Sequence, residues 1–116
     1  MNRISLALGV ALAALVAAAP VAARPTAATA TTVTVKMSEF KFVLSRKTVA
    51  HGTVTFKLVN KGKLSHDFKI SGKKSKLIKP GKSGKLIATL KKGKLSYICT
   101  VPGHAAAGMK GKLTVT

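Results

Sequence analysis

From Thr32 onward, apolar and polar residues alternate in short runs, and this habit limits what the chain can become. Val33 and Val35 are separated by Thr34. Phe40, Phe42 and Leu44 repeat the pattern, as do Val54, Phe56 and Leu58. Phe68 and Ile70 follow, then Leu86, Ala88 and Leu90, then Leu95, Tyr97 and Cys99, and last Leu113 and Val115. A period of two places alternate side chains on one face of a strand. Turn signals part the runs: His51-Gly52, Asn60-Lys61-Gly62, Ser71-Gly72, Pro80-Gly81 and Lys92-Gly93. No stretch of this region sustains a helical period. The pattern predicts an all-β sandwich or barrel of roughly seven to eight strands over residues 32–116.

With 116 residues the chain has room for one ordinary domain. Lys and Arg number 21 against two acids, a formal charge of +19, yet 47% of residues are apolar. That much apolar content excludes a disordered polybasic tail. With Glu39 and Asp67 as its only acids, a hydrolase built on paired carboxylates is nearly excluded. No catalytic residue is expected, and Glu39 reads as a solvated acid. One cysteine excludes an internal disulfide framework and a CxxC metal knuckle. A domain this small would gain from a bound metal.

The first residues read as an address. Arg3 gives a positive start, and Ile4 to Ala19 is almost wholly apolar. The run is shorter than the ~20 residues of a spanning helix. Val21-Ala22-Ala23 supplies the small residues of a cleavage site, so residues 1–23 read as a secretory signal peptide. Retention as a membrane anchor is the alternative. Cleavage after Ala23 would leave 93 residues with a charge of +18, from 20 basic and 2 acidic side chains. The product would be periplasmic or secreted. Residues 24–31 read as a flexible leader.

Six of the ten glycines precede a lysine. These dipeptides suit turn tips and strand edges kept from pairing with other chains. A phosphate loop ending at Gly81-Lys82-Ser83 is rejected, because Lys76 stands where its first glycine is needed.

Residues 97–111 carry the chemistry. A thiol, an imidazole and a thioether fall within eleven residues as Cys99, His104 and Met109. Pro102, Gly103 and Gly108 can fold that segment back so that all three meet. His66 lies upstream, between a turn and the strand around Phe68. Two imidazoles and a thiolate in a plane, with a weak axial thioether, are the donors of a blue-copper centre. Soft sulfur favours Cu(I), while imidazole suits both oxidation states.

The Cys-x4-His-x4-Met spacing, the Thr-Val-Pro-Gly after Cys99 and the Asn-x-Gly-x-x-x-His that ends at His66 resemble the cupredoxin family, most nearly its small bacterial auracyanin, plastocyanin and azurin-like members. The resemblance implies a Greek-key β-sandwich over Val33 to Thr116 with one copper ion at one end. It implies His66, Cys99, His104 and Met109 as ligands, with the edge of His104 exposed. Relatives commonly carry Asn where Asp67 stands, and that side chain ties the histidine strand to the cysteine loop near Thr100. Some relatives also carry an aromatic at the position of Leu95.

The small apolar residues Val101, Pro102, Ala105, Ala106 and Ala107 would form a flat patch for brief docking of a redox partner. The positive charge would attract an acidic partner or an anionic membrane face. Export, few aromatics and no nucleic-acid motif argue against nucleic acid. The expectation is a monomeric one-electron carrier and not an enzyme. Copper storage, delivery or resistance is the second reading, and a sensory or accessory module for a membrane oxidase the third. Absence of a methionine cluster favours the carrier. His51 is expected in solvent, and Tyr97 in the core.

Overall fold

A computed structural model of the chain describes Gly9 and residues 30–116. The expected signal cleavage and nearly all of the expected leader lie outside the described residues. Nine strands are present among the described residues: β1 (Thr31–Ser38), β2 (Lys41–Leu44), β3 (Thr48–Val49), β4 (Gly52–Asn60), β5 (Lys69–Ile70), β6 (Lys73–Lys74), β7 (Ser83–Leu90), β8 (Gly93–Ile98) and β9 (Lys110–Val115). They form a four-stranded sheet ordered β2-β1-β4-β7 and a five-stranded sheet ordered β3-β9-β8-β5-β6. The all-β expectation holds. The strand number exceeds the expectation because β3 and β6 have two residues each, too few for alternation to reveal them.

Alternation becomes packing directly. β1 buries Val33, Val35 and Met37, β4 buries Val54, Phe56 and Leu58, and β7 buries Leu86, Ala88 and Leu90. The other sheet adds Val49, Ile70, Leu113 and Val115. Phe56 and Phe68 meet in this core with ring centroids 5.0 Å apart. Truncating either to Ala would cost about 3–5 kcal/mol in lost transfer energy and cavity formation. Tyr97 is half-buried and packs its ring on Phe42 and Phe68. His51 is exposed, as expected.

Phe40 breaks the expected alternation. It stands in the turn before β2 and is 37% exposed. Phe42 keeps its place against the core. The turn therefore carries Glu39 and Phe40 out of the sheet and toward one end of the sandwich, where the chain segments 61–68 and 99–109 also arrive.

Candidate metal centre

The loop after β8 shapes itself through its own backbone. Cys99 N–H donates to the Met109 carbonyl at 3.1 Å and closes the base. Met109 N–H donates to the His104 carbonyl at 3.1 Å, and His104 N–H to that of Val101 at 3.1 Å. Gly103 and Gly108 take φ values of 84° and 116°, which side chains with a Cβ rarely adopt. The eleven-residue segment thereby becomes a compact double turn with Cys99, His104 and Met109 all buried.

His66 enters from the opposite side. Its backbone makes an isolated bridge with Ile78, with N–H donated to the Ile78 carbonyl at 3.0 Å and returned at 2.7 Å. Asn60, fully buried at the end of β4, braces this segment. Its Nδ2 donates to the carbonyls of Leu64 and Ile78, both at 2.8 Å, and its Oδ1 accepts from Gly62 N–H at 2.9 Å. The Asn60-Lys61-Gly62 turn is thus a scaffold for His66 as well as a break between strands.

Among the described residues, His66, Cys99 and His104 bring one donor atom each within 4.8 Å of one another. Nδ1 of His66 lies 3.1 Å from Nδ1 of His104, and Cys99 Sγ lies 3.6 Å from the same His104 atom. All three side chains are buried. Burial pushes the Cys99 thiol above its ordinary range, while neighbouring backbone hydrogen bonds pull the other way. Copper suits this set: two imidazoles and a sulfur that becomes a soft anionic donor on losing its proton. Met109 is fully buried on the same loop, with its backbone bonded to both Cys99 and His104.

Asp67 reaches the loop. Its Oδ1 accepts from Thr100 N–H at 2.6 Å, and its Oδ2 accepts from the Thr100 hydroxyl. Residues 67 and 100 therefore meet, with the carboxylate accepting both bonds.

Three features correct the sequence reading. Glu39 is not a solitary solvated acid. Its Oε1 accepts from the amides of Lys63 at 2.8 Å and Leu64 at 2.7 Å, and lies 3.1 Å from His66 Nε2. These bonds hold its carboxyl down at about 2, the Leu64 amide contributing most. Second, His104 is only 8% exposed. Phe40 packs edge-on against it with centroids 5.0 Å apart, so the expected open imidazole edge is largely covered. Third, the apolar patch is larger than the loop. Ala106 and Ala107 are exposed and Val101 and Ala105 partly so, with Pro102 exposed beside them, while Phe40 and Leu64 add exposed apolar surface on neighbouring segments. One signal pointed to Glu39 beforehand: a chain with 21 cationic side chains keeps two acids, and both contact the site.

Known proteins share this fold. Auracyanin B has the same fold with a TM-score of 0.64 at 24% identity, over 75% of this chain and 89% of that one. A dithionite-reduced auracyanin of Roseiflexus castenholzii gives 0.64 at 23% identity, over 75% and 98%. Auracyanin A of Chloroflexus aurantiacus, described as a blue copper protein, gives 0.60 at 23%, over 73% and 99%. The copper-resistant cuproprotein CopI of Pseudomonas aeruginosa is 50% identical over 42 residues, which are 35% of this chain and 23% of that protein. The chain thus spans less than a quarter of that relative. The family profile for a cupredoxin-like domain matches residues 6–115, nearly the whole length, and with the fold above this settles the kinship: the chain belongs to the cupredoxin-like family.

Proposed function

We propose that this is an exported protein that holds one copper ion and carries single electrons between redox partners. The observation that carries the reading is the buried convergence of His66, Cys99 and His104 within 4.8 Å. His66 Nδ1, Cys99 Sγ and His104 Nδ1 would hold the ion, with the Met109 thioether as a weaker donor. A copper ion held there supplies one-electron exchange between Cu(I) and Cu(II). The protein supplies rigidity. His66 is fixed by the Ile78 bridge and the Asn60 brace, and Cys99 by the closed loop. Donors that cannot move keep one geometry for both oxidation states, so little rearrangement opposes electron transfer. Phe40 and the Val101–Ala107 segment keep water off and give a partner an apolar surface close to the donors.

The apolar segment near the N-terminus supports export, and the soft thiolate supports an ion that cycles through Cu(I). The exposed apolar patch and the surrounding lysines support a redox protein partner with an acidic face, met by a monomer. The similarity to CopI favours a second reading, copper handling in resistance. Burial of every donor favours the carrier, since ready metal exchange needs open ligands.

The test is a visible spectrum and a voltammogram of the protein from Arg24 onward with Cu(II). An intense thiolate-to-copper band, lost in Cys99→Ser, together with a reversible one-electron couple is the expected result. A colour that survives Cys99→Ser overturns the ligand set. Rapid loss of copper to a mild chelator, with no reversible couple, favours copper handling.

A further inference from the structure

We infer that Glu39 is a positioning residue for His66, accepting the hydrogen bond of Nε2–H so that the Nδ1 lone pair is turned toward the metal. This deepens the copper-site reading and rests on it.

The two nitrogens of the His66 ring face opposite kinds of neighbour. Nδ1 faces the His104 ring nitrogen at 3.1 Å and the sulfur of the cluster. Nε2 faces the Glu39 carboxylate at 3.1 Å. A neutral imidazole has one proton to place. An ionised carboxylate accepts and cannot donate. With the proton on Nδ1, a bare lone pair on Nε2 would point at a negative oxygen, and the buried ring would lose a bond. With the proton on Nε2, that bond is made and Nδ1 is free to accept. In the metal-free protein it can accept from His104 Nδ1–H. With copper present it can ligate.

The carboxylate is held for this task. The same Oε1 accepts from Lys63 and Leu64 amides, three and two residues ahead of His66. Gly62 makes the space. A Cβ there would stand 2.5 Å from Oε1 and 2.8 Å from Oε2, distances real Cβ atoms essentially never show. The side chain is 28% exposed, and a carboxyl open to water is ionised at neutral pH. A negative oxygen on the far side of a ligand imidazole raises its basicity and favours Cu(II) over Cu(I).

A simpler role is possible in chemistry, that of a cap for two loop amides. The two roles separate by experiment. In metal-free protein with 15N-labelled histidine, at mildly alkaline pH, His66 should carry its proton on Nε2. In Glu39→Ala that preference should weaken. An Nδ1–H tautomer in the wild type overturns the inference whether or not copper binds, so this arm is independent of the colour test. Glu39→Gln keeps an amide-accepting oxygen and should fold, but lacks the charge. Its copper form should lose about tenfold in preference for Cu(II), a rise of about 59 mV in potential. An unchanged potential in Glu39→Gln overturns the inference, and the tautomer arm separates it from a loop cap, which would leave the His66 proton preference the same in Glu39→Ala. Cu(II) affinity of Glu39→Ala should fall about 10- to 100-fold. If the wild type binds no copper while the Nε2–H tautomer is found and lost in Glu39→Ala, the carrier reading fails and the pairing of Glu39 with His66 stands.

Discussion

Asp67 grips Thr100 with both carboxylate oxygens, one on the amide at 2.6 Å and one on the hydroxyl. The contact spans 33 residues of sequence and joins the segment of His66 to the loop of Cys99 and His104. Asp67→Asn keeps one acceptor for the amide, and the Thr100 hydroxyl can turn to accept from the new NH2. The loop should therefore stay closed while a negative charge beside the site is removed. Loss of that charge disfavours Cu(II), so the potential should rise. Voltammetry checks the direction; a lower potential would show that the charge does not act on the metal. Asp67→Ala leaves the part-buried Thr100 amide without its partner and should cost about 1 kcal/mol of stability.

Gly62→Ala should mimic Glu39→Ala. The atoms a new methyl would meet belong to the Glu39 carboxylate, the end of a flexible side chain. The carboxylate can swing away, and what is lost is its bonds to Lys63, Leu64 and His66. The substitution should raise the potential in the wild type and do almost nothing in a Glu39→Ala background. Equal effects in the two backgrounds would mean that the glycine matters for another reason. This is a double-mutant cycle with coupling expected because the groups touch.

Cys99 sets a pH dependence. Burial raises its thiol, so the metal-free protein holds the proton through neutral pH. Binding of copper must expel it. Above the ordinary histidine range, affinity for Cu(II) should climb with pH by about tenfold per unit, one proton being released. Chelator competition at stepped pH measures the slope, and Cys99→Ser should flatten it. The same shift has a sign for folding. A folded value above the unfolded one means that stability is full below the unfolded thiol value. It is lost as pH rises through the folded one. Metal-free protein should therefore unfold more easily at high pH, and Cys99→Ser should lessen the effect, leaving the share of Tyr97, whose hydroxyl burial also raises.

Met109 offers a thioether from the loop end, fully buried. Met109→Leu is close in volume, so packing should survive at a cost under about 1.5 kcal/mol. Copper and colour should remain. Loss of a weak donor destabilises Cu(II) more than Cu(I), so the potential should rise. An unchanged potential would remove Met109 from the ligand set.

The parts of this site that could be read from sequence are the local ones. Cys99, His104 and Met109 lie on one loop, and their spacing and glycines set much of its shape locally. The core strands were legible because alternation is a local property too. Glu39 and His66 are 27 residues apart, and only the fold brings them together. Phe40 continues the alternation of Phe42 and Leu44, yet the turn takes it to His104 instead of the core. The two-residue strands β3 and β6 owe their existence to neighbours: Val49 pairs with Val115 and Lys69 with Lys74. No pattern inside two residues could announce them.

Surface charge and apolar contact should act separately in electron transfer. On the outer face of the five-stranded sheet Lys74 is registered with Lys69, Lys69 with Ile98 and Ile98 with Lys110. This row ends at the foot of the Cys99–Met109 loop. Neither acid offsets it at close range, because Glu39 and Asp67 are both engaged inside the site. Lysines on such a row attract an acidic partner from a distance, over a screening length of roughly 8–10 Å at physiological salt. The apolar patch acts only on contact. With an acidic redox partner the bimolecular rate should therefore fall as salt rises, while the step inside the complex changes little. Lys110→Glu should slow the reaction at low salt and lose its effect at high salt. Ala106→Glu puts a charge into the patch itself and should slow transfer at every salt concentration. Stopped-flow kinetics across a salt series reads both. A rate indifferent to salt with every acidic partner would leave the lysines a role in solubility alone.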